Sequence, residues 1–333
     1  MRNSLFATSG TLFVALATSL CGDAVLAQGV AANFPSRPVT LVSPYAPGGG
    51  ADGDGRIWSQ KLTESLGRPV VVDYKSGGGS TIGSNYVAKA TPDGHTLLLI
   101  TAGFSVTAVM RTDLPYDPIK DFAPVSLTHK RGAMLAVHPS VPYKTYPEFI
   151  AYLKAHPGEV NFATTGAGSI YHLVGAWLNS ATNTRMTFVH YRGSGPLLVD
   201  LVAGRTQVAG TTFLTGWPFV KTLKLRALAG ISAERSPLAP DLRTVAEQGI
   251  PDFEYSAWGG ILAPANVPSP IVTKLWEHLA GFAREPAVIE QFRNTGAIMI
   301  ASSPADFRKY LVTEISRWGR LMKENGIQAG TED

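Results

Sequence analysis

The feature that most limits what this chain can become is a repeated alternation of short β-rich runs with amphipathic helical stretches, joined by turns of glycine and small hydroxyl residues. Val39–Val42 reads as a strand, Arg56–Ser65 as a helix and Val70–Asp73 as a strand. A second helix ends over Tyr86–Ala90, and Thr96–Ile100 is again a strand. The alternation resumes at Ala133–Val137, Thr145–Ala155, Val160–Ala163, Ser169–Asn179, Thr187–His190, Pro196–Ala203 and Leu225–Gly230. Strands separated by single helices require crossover connections, and these favour parallel pairing with the helices covering both faces. Beyond Pro264–Pro270 the pattern gives way to two long helices, about Ile271–Arg284 and Pro304–Glu324. Proline-rich punctuation at Pro139–Pro147 and Pro237–Pro240 flanks the middle block. We therefore expect an α/β protein of two lobes, each a mostly parallel sheet flanked by helices. The first lobe takes 34–128 plus 230–333, and 129–229 is inserted as the second.

The amino terminus sets the expected compartment. Met1-Arg2, an apolar stretch around Leu12–Leu20 and Val25-Leu26-Ala27 fit a secretory signal peptide over 1–27, cleaved after about Ala27. Thr8, Ser9, Thr11, Thr18 and Ser19 make the stretch too polar for a membrane span. Cys21, the only cysteine, lies inside that leader. Leu20 before it stands where a lipid-attachment site wants a small residue. No disulfide is expected in the mature chain, so an ordinary core must stabilise it. The formal charge of +4 is spread over singly placed basic residues, which excludes a nucleic-acid groove.

Four turns carry the chemistry. Pro44-Tyr45-Ala46-Pro47-Gly48-Gly49-Gly50-Ala51-Asp52 opens the first helix, and Gly77-Gly78-Gly79-Ser80-Thr81 opens the second. Thr164-Thr165-Gly166-Ala167-Gly168-Ser169 and Arg192-Gly193-Ser194-Gly195-Pro196 do the same in the middle block. Helix starts offer unpaired N–H groups and a positive dipole end, which suits a carboxylate or phosphate. A rival reading exists, because Gly48–Gly53 matches G-x-G-x-x-G and Asp73 follows at the spacing of a dinucleotide-binding fingerprint. Pro44, Pro47 and Asp52 fit that reading poorly. Hydrolytic and metal motifs are missing: there is no G-x-S-x-G elbow, no phosphate-loop lysine and no H-x-x-x-H spacing. Ser169–His172 is the one pair to weigh as a nucleophile and base. Tyr45 is placed to cover a ligand, with Trp217 and Trp258 as further aromatic candidates.

The chain resembles the periplasmic solute-binding receptors of tripartite tricarboxylate transporters, the Bordetella-uptake-gene type, from about Phe34 to Ile327. The resemblance rests on Pro35-Ser36-Arg37-Pro38-Val39, on Pro44–Asp52 and on Pro115-Tyr116-Asp117-Pro118-Ile119-Lys120-Asp121-Phe122-Ala123-Pro124-Val125. It continues in Tyr191-Arg192-Gly193-Ser194, Lys224–Ala229, Thr244-Val245-Ala246-Glu247 and Leu262-Ala263-Pro264. It implies a Venus-flytrap receptor that binds a small carboxylate through backbone groups and bridging waters. No cofactor, no metal and no catalytic residue is implied; the partners are membrane transporter subunits, and a monomer is expected. The contacts it implies fall on Tyr45, Ala46, Gly49, Ala51, Asp52, Gly79, Thr165, Gly166, Ser169, His172, Ser194 and Thr212. Thr211-Thr212 stands where relatives often carry Asp-Asn, and Gly259 where they often carry Tyr. Both departures hint at a less polar acid. A carboxylate sensor without a transport role, and a dinucleotide-binding oxidoreductase, remain as alternatives.

Overall fold

A computed structural model describes residues 32–327 apart from Gly49 and Arg192. The expected leader and Cys21 lie outside the described residues.

The chain runs β1 (Val39–Ser43), α1 (Gly50–Leu66), β2 (Val70–Tyr74), α2 (Thr81–Ala88), β3 (Thr96–Thr101), α3 (Ala102–Met110) and β4 (Phe122–Arg131). It continues through β5 (Ala133–Val137), α4 (Tyr146–Ala155), β6 (Asn161–Thr164), α5 (Ile170–Thr182), β7 (Thr187–His190), α6 (Ser194–Val202), β8 (Val208–Thr212), α7 (Phe213–Lys221) and β9 (Arg226–Gly230). Strand β10 (Ala257–Pro264), α8 (Ser269–Phe282), α9 (Pro286–Arg293), β11 (Ala297–Met299) and α10 (Pro304–Glu324) complete it. Two sheets result, ordered β11-β4-β10-β3-β1-β2 and β7-β6-β8-β5-β9. The sheets define two lobes.

The sheets are mixed rather than mostly parallel. Parallel pairing is confined to the crossover units, β1 with β2 and β3, and β6 with β7 and β8. Strands β4, β10 and β11 pair antiparallel, as does β5 with β8 and β9. The reason is topological. A chain that passes directly from one sheet to the other, without a helix between strands, enters and returns in opposite directions.

That passage is abrupt. Strand β4 ends at Arg131 and β5 begins at Ala133, so Gly132 alone bridges the sheets. Its N–H donates to Gly296 O at 3.2 Å and its carbonyl accepts from Phe213 N at 3.1 Å. The Phe213 ring lies 3.2 Å from where a Cβ would stand, so no larger residue fits without displacement. The chain returns after β9 through residues 231–256.

Each lobe has its own apolar cluster. Trp58, Leu41, Leu99, Leu275 and Phe292 pack on one face of the first sheet, and Met134, Leu197, Leu201 and Phe213 on one face of the second. The largest cluster continues from lobe to lobe and includes Leu98, Phe104, Leu135, Tyr171, Val174, Phe253, Tyr255, Trp258 and Trp318. Ring pairs mark this seam: Trp177 on Phe253 at 4.4 Å, Tyr171 on Tyr255 at 5.6 Å and Tyr255 on Trp318 at 6.2 Å. Local signals agree with the elements. Ser303 accepts from Asp306 N at 3.1 Å ahead of Pro304, and at α4 Thr145 Oγ1 accepts from Glu148 N while the Glu148 carboxylate accepts from Lys144 N at 2.7 Å. Among the described residues no helix is long and apolar enough to cross a membrane.

Candidate ligand-binding site

Between the lobes lies a cleft of two connected compartments. The inner one, about 380 Å³, is lined by Ala51, Thr101–Gly103, Gly193, Ser194, Thr212, Leu214 and Thr215. These are the first turns of α1, α3, α6 and α7, two from each lobe. The start of α5 reaches it through Ile170 and Tyr171. Parallel strand-to-helix units place their helix starts on one rim of a sheet, and the two rims face each other here. Five positive dipole ends therefore surround one small space. Helix α6 begins after Gly193, at φ +101°, with no side-chain cap, so its first N–H groups keep their bonding capacity. The outer compartment, about 490 Å³, shares Tyr45, Ala46, Gly103, Thr165 and Ile170 with the inner one.

Tyr45 fixes the wall between them. Its hydroxyl accepts from Thr101 N at 3.1 Å and bonds Thr101 Oγ1 at 2.9 Å, tying the first loop to the start of α3. Burial pushes its phenol above the ordinary value, partly offset by the two Thr101 bonds.

The inner floor carries charge that cancels within the protein. Asp54 receives the Arg131 guanidinium at 3.0 and 3.3 Å and has His129 Nε2 at 3.2 Å. Arg131 also donates to Thr295 Oγ1 at 3.1 Å, and Thr128 Oγ1 lies 3.0 Å from His129 Nδ1. Asp54, Arg131 and His129 are all buried. Burial alone would raise the Asp54 carboxyl, but His129 and Arg131 outweigh it and hold it far below the usual carboxylate range. The Asp54 and Arg131 charges offset each other, and the helix starts supply attraction for a ligand anion.

The expected contacts divide cleanly. Tyr45, Ala46 and Thr165 line both compartments; Ala51, Ser194 and Thr212 line the inner one; Gly79, Gly166 and Ser169 line the outer one. Gly49 lies outside the described residues. Asp52 and His172 line neither compartment. The Asp52 carboxylate is consumed by Gly48 N and Arg56 Nε, both at 2.9 Å, and by the Tyr74 hydroxyl at 2.5 Å. The Tyr74 and Gly48 hydrogen bonds keep it below the ordinary carboxylate value. His172 turns its Nδ1 to Gly168 N at 3.0 Å, while Ser169 Oγ accepts from His172 N at 3.4 Å. The pair weighed above as nucleophile and base is a helix cap. Asp73, the acid of the rival fingerprint, pairs with Lys75 at 3.1 Å and lines neither compartment. Trp258 reaches the inner compartment, whereas Trp217 lines a separate groove on the second lobe.

Several lining residues went unmarked in the sequence. Thr101-Ala102-Gly103 carries the same small-residue signal as the other turns and was there to be read. Asp54, His129, Arg131 and Tyr255 carry no local signal, because α1, β4 and the segment before β10 meet beneath the cleft only in the fold.

His172 yields a pH prediction. Burial, reinforced by His190 with ring centroids 4.9 Å apart, pushes its pKa down to about 4. The unfolded ring titrates near ~6.5. The native ring is neutral and resists protonation, so its stability contribution is complete above about 6.5 and declines as pH falls toward about 4. Melting temperature measured from pH 8 to pH 4 is expected to fall across that window, and His172→Gln to flatten the fall.

Two α/β lobes joined at a narrow crossing, with helix starts from both converging on the cleft, define a two-lobed solute-binding protein. The match of a family model over residues 55–327 makes it specific: the chain belongs to the tripartite tricarboxylate transporter family of receptors. It is 33% identical to the protein BugT of Bordetella pertussis over 317 residues, covering 93% of this chain and 97% of that one. Among solved structures it resembles R. palustris Rpa4515 with adipate, at TM-score 0.81 and 32% identity over 89% of this chain and 99% of that one. MatC from Rhodopseudomonas palustris with bound malate follows at TM-score 0.76 and 32% identity, covering 86% and 99%.

Proposed function

We propose that this chain is exported to the periplasm by residues 1–27, closes its two lobes on a small organic carboxylate, and hands it to the membrane subunits of a tripartite tricarboxylate-type transporter. It acts as a monomer, without cofactor and without covalent chemistry. The observation that carries this reading is the convergence of helix starts from both lobes on one compartment whose buried charges cancel. An anion there gains several N–H donors at once, and only with the lobes together, so binding and closure are one equilibrium. The adipate and malate held by the two solved relatives agree with that chemistry. An affinity near micromolar corresponds to about −8 kcal/mol, within reach of a few charge-assisted hydrogen bonds in a partly dry cleft.

Melting curves against mono-, di- and tricarboxylates, aromatic acids, acidic amino acids and NAD give the test. At a hundredfold excess over the dissociation constant a true ligand is expected to stabilise the protein by about 2.7 kcal/mol. Stabilisation by NAD with no response to any carboxylate would overturn the proposal.

A further inference from the structure

The outer compartment already commits part of its polar lining to bonds inside the protein. Around it several backbone N–H groups are already bonded inside the protein. Gly166 N donates to Thr164 Oγ1 at 3.3 Å, Gly168 N to His172 Nδ1 at 3.0 Å and Ser169 N to Gly166 O at 3.2 Å. On the opposite wall Thr81 N closes on the Gly78 carbonyl and Ile82 N on Gly77 O at 3.4 Å. The cationic side chain of that wall, Arg111, already holds Asp113 by two bonds of 3.0 Å. Thr107 Oγ1 donates to Gly79 O at 2.8 Å. Ser80 is buried in that wall. A carboxylate needs several donors to replace its hydration, and those bonded in this way are not free to supply them.

Beside Tyr45, Ser76 and Thr165, the wall carries the apolar Pro44, Val106, Met110 and Ile170. Met110 reaches from the first lobe to Gly168 of the second, filling the space where a Cβ on Gly168 would stand. Gly168 sits at φ +67°, so the position favours glycine twice over. An unbranched thioether adapts its shape to what it covers, which makes this end of the compartment a deformable apolar surface.

We propose that the outer compartment is a tail site. The ligand is then a carboxylic acid with an extended apolar body, an aliphatic chain or an aromatic ring. Its carboxylate sits among the helix starts of the inner compartment and its body lies against Val106, Met110 and Ile170. This rests on the carboxylate-capture reading and specifies its substrate class.

Calorimetric titration of the purified protein with octanoate, phenylacetate and benzoate, and in parallel with succinate, malate and citrate, tests it. At least one tailed acid is expected to bind tenfold or more tighter than any of the short polyacids. Met110→Gln keeps the unbranched shape and adds a polar end, and Val106→Thr keeps the volume and adds a hydroxyl. Each is expected to weaken the tailed acid roughly tenfold while leaving a short polyacid within about twofold, because only the tail loses apolar contact. Short polyacids binding while no tailed acid does would overturn the tail site and leave carboxylate capture standing. Equal weakening of both classes by both variants would also overturn it, as the residues would then be merely structural. Binding of no carboxylate at all would remove both proposals together.

Discussion

Asp54→Ala is expected to lower the stability of the protein by about 3–5 kcal/mol, the largest loss of any single substitution considered. The substitution removes the only carboxylate that meets both the Arg131 guanidinium and the His129 ring, whose side chains are 6% and 2% exposed. Neither partner can turn to water, so each keeps its desolvation cost without the attraction that offset it. Denaturant unfolding and melting temperature read the loss. A double substitution checks the physics: Asp54→Asn with Arg131→Met removes the charges together and is expected to recover much of the stability lost by Asp54→Ala. If the double variant is no more stable than the single one, uncompensated charge is not the cause. The acid response has a definite sign. The Asp54 carboxyl is held below its unfolded value, so its contribution is complete above roughly pH 4 and is lost as pH falls through the depressed native value.

Glu314→Leu is expected to cost about 2–4 kcal/mol and to disturb the cleft as well. Glu314 is 4% exposed, on α10, and its Oε2 accepts from Trp258 Nε1 at 3.2 Å and Trp318 Nε1 at 3.4 Å. Its Oε1 receives Arg317 at 2.9 Å. A leucine of similar size fills the space but leaves two indole N–H groups buried and unpaired. Trp258 lines the inner compartment, so ligand affinity should fall together with melting temperature. Glu314→Gln retains an acceptor oxygen and is expected to keep most of the stability. Equal losses for Leu and Gln would show that charge, not acceptance, is what the two tryptophans require.

Elements whose own residues state their period were legible without the structure. Ala133–Val137 and Pro304–Glu324 fall where the strand run and the capped amphipathic stretch place them. The first helix starts earlier than its apolar pattern shows, because Gly50–Gly55 form its opening turns. Gly55 is needed there, since Leu99 lies 3.0 Å from where a Cβ would be. Helix α3, AGFSVTAVM, reads by composition as more strand after β3. It turns helical where Thr101 accepts from Gly103 N, and it buries Phe104, Val106 and Met110. Strand β10 hid behind Gly259 and Gly260, residues that usually mark a turn. They are glycines because the His129 and Phe307 rings occupy the places their Cβ atoms would take. The departure at Gly259 is thus explained by packing above the buried Asp54 network.

The sequence by itself determined the class of chain: an α/β protein whose strand-to-helix turns are built of glycine and hydroxyl residues, hence suited to present N–H groups to an anion. That much follows from local chemistry, since turn residues and helix starts carry their signal within a few positions. Only the tertiary structure decided which of those turns remain open. Thr164 and His172 bond the Gly166 and Gly168 N–H groups of the third loop, whereas α6 has no side-chain cap and faces the cleft. Which buried charges cancel depends on residues far apart in the chain brought within 3.5 Å, as Asp54 and Arg131 are. No window of sequence contains that distance.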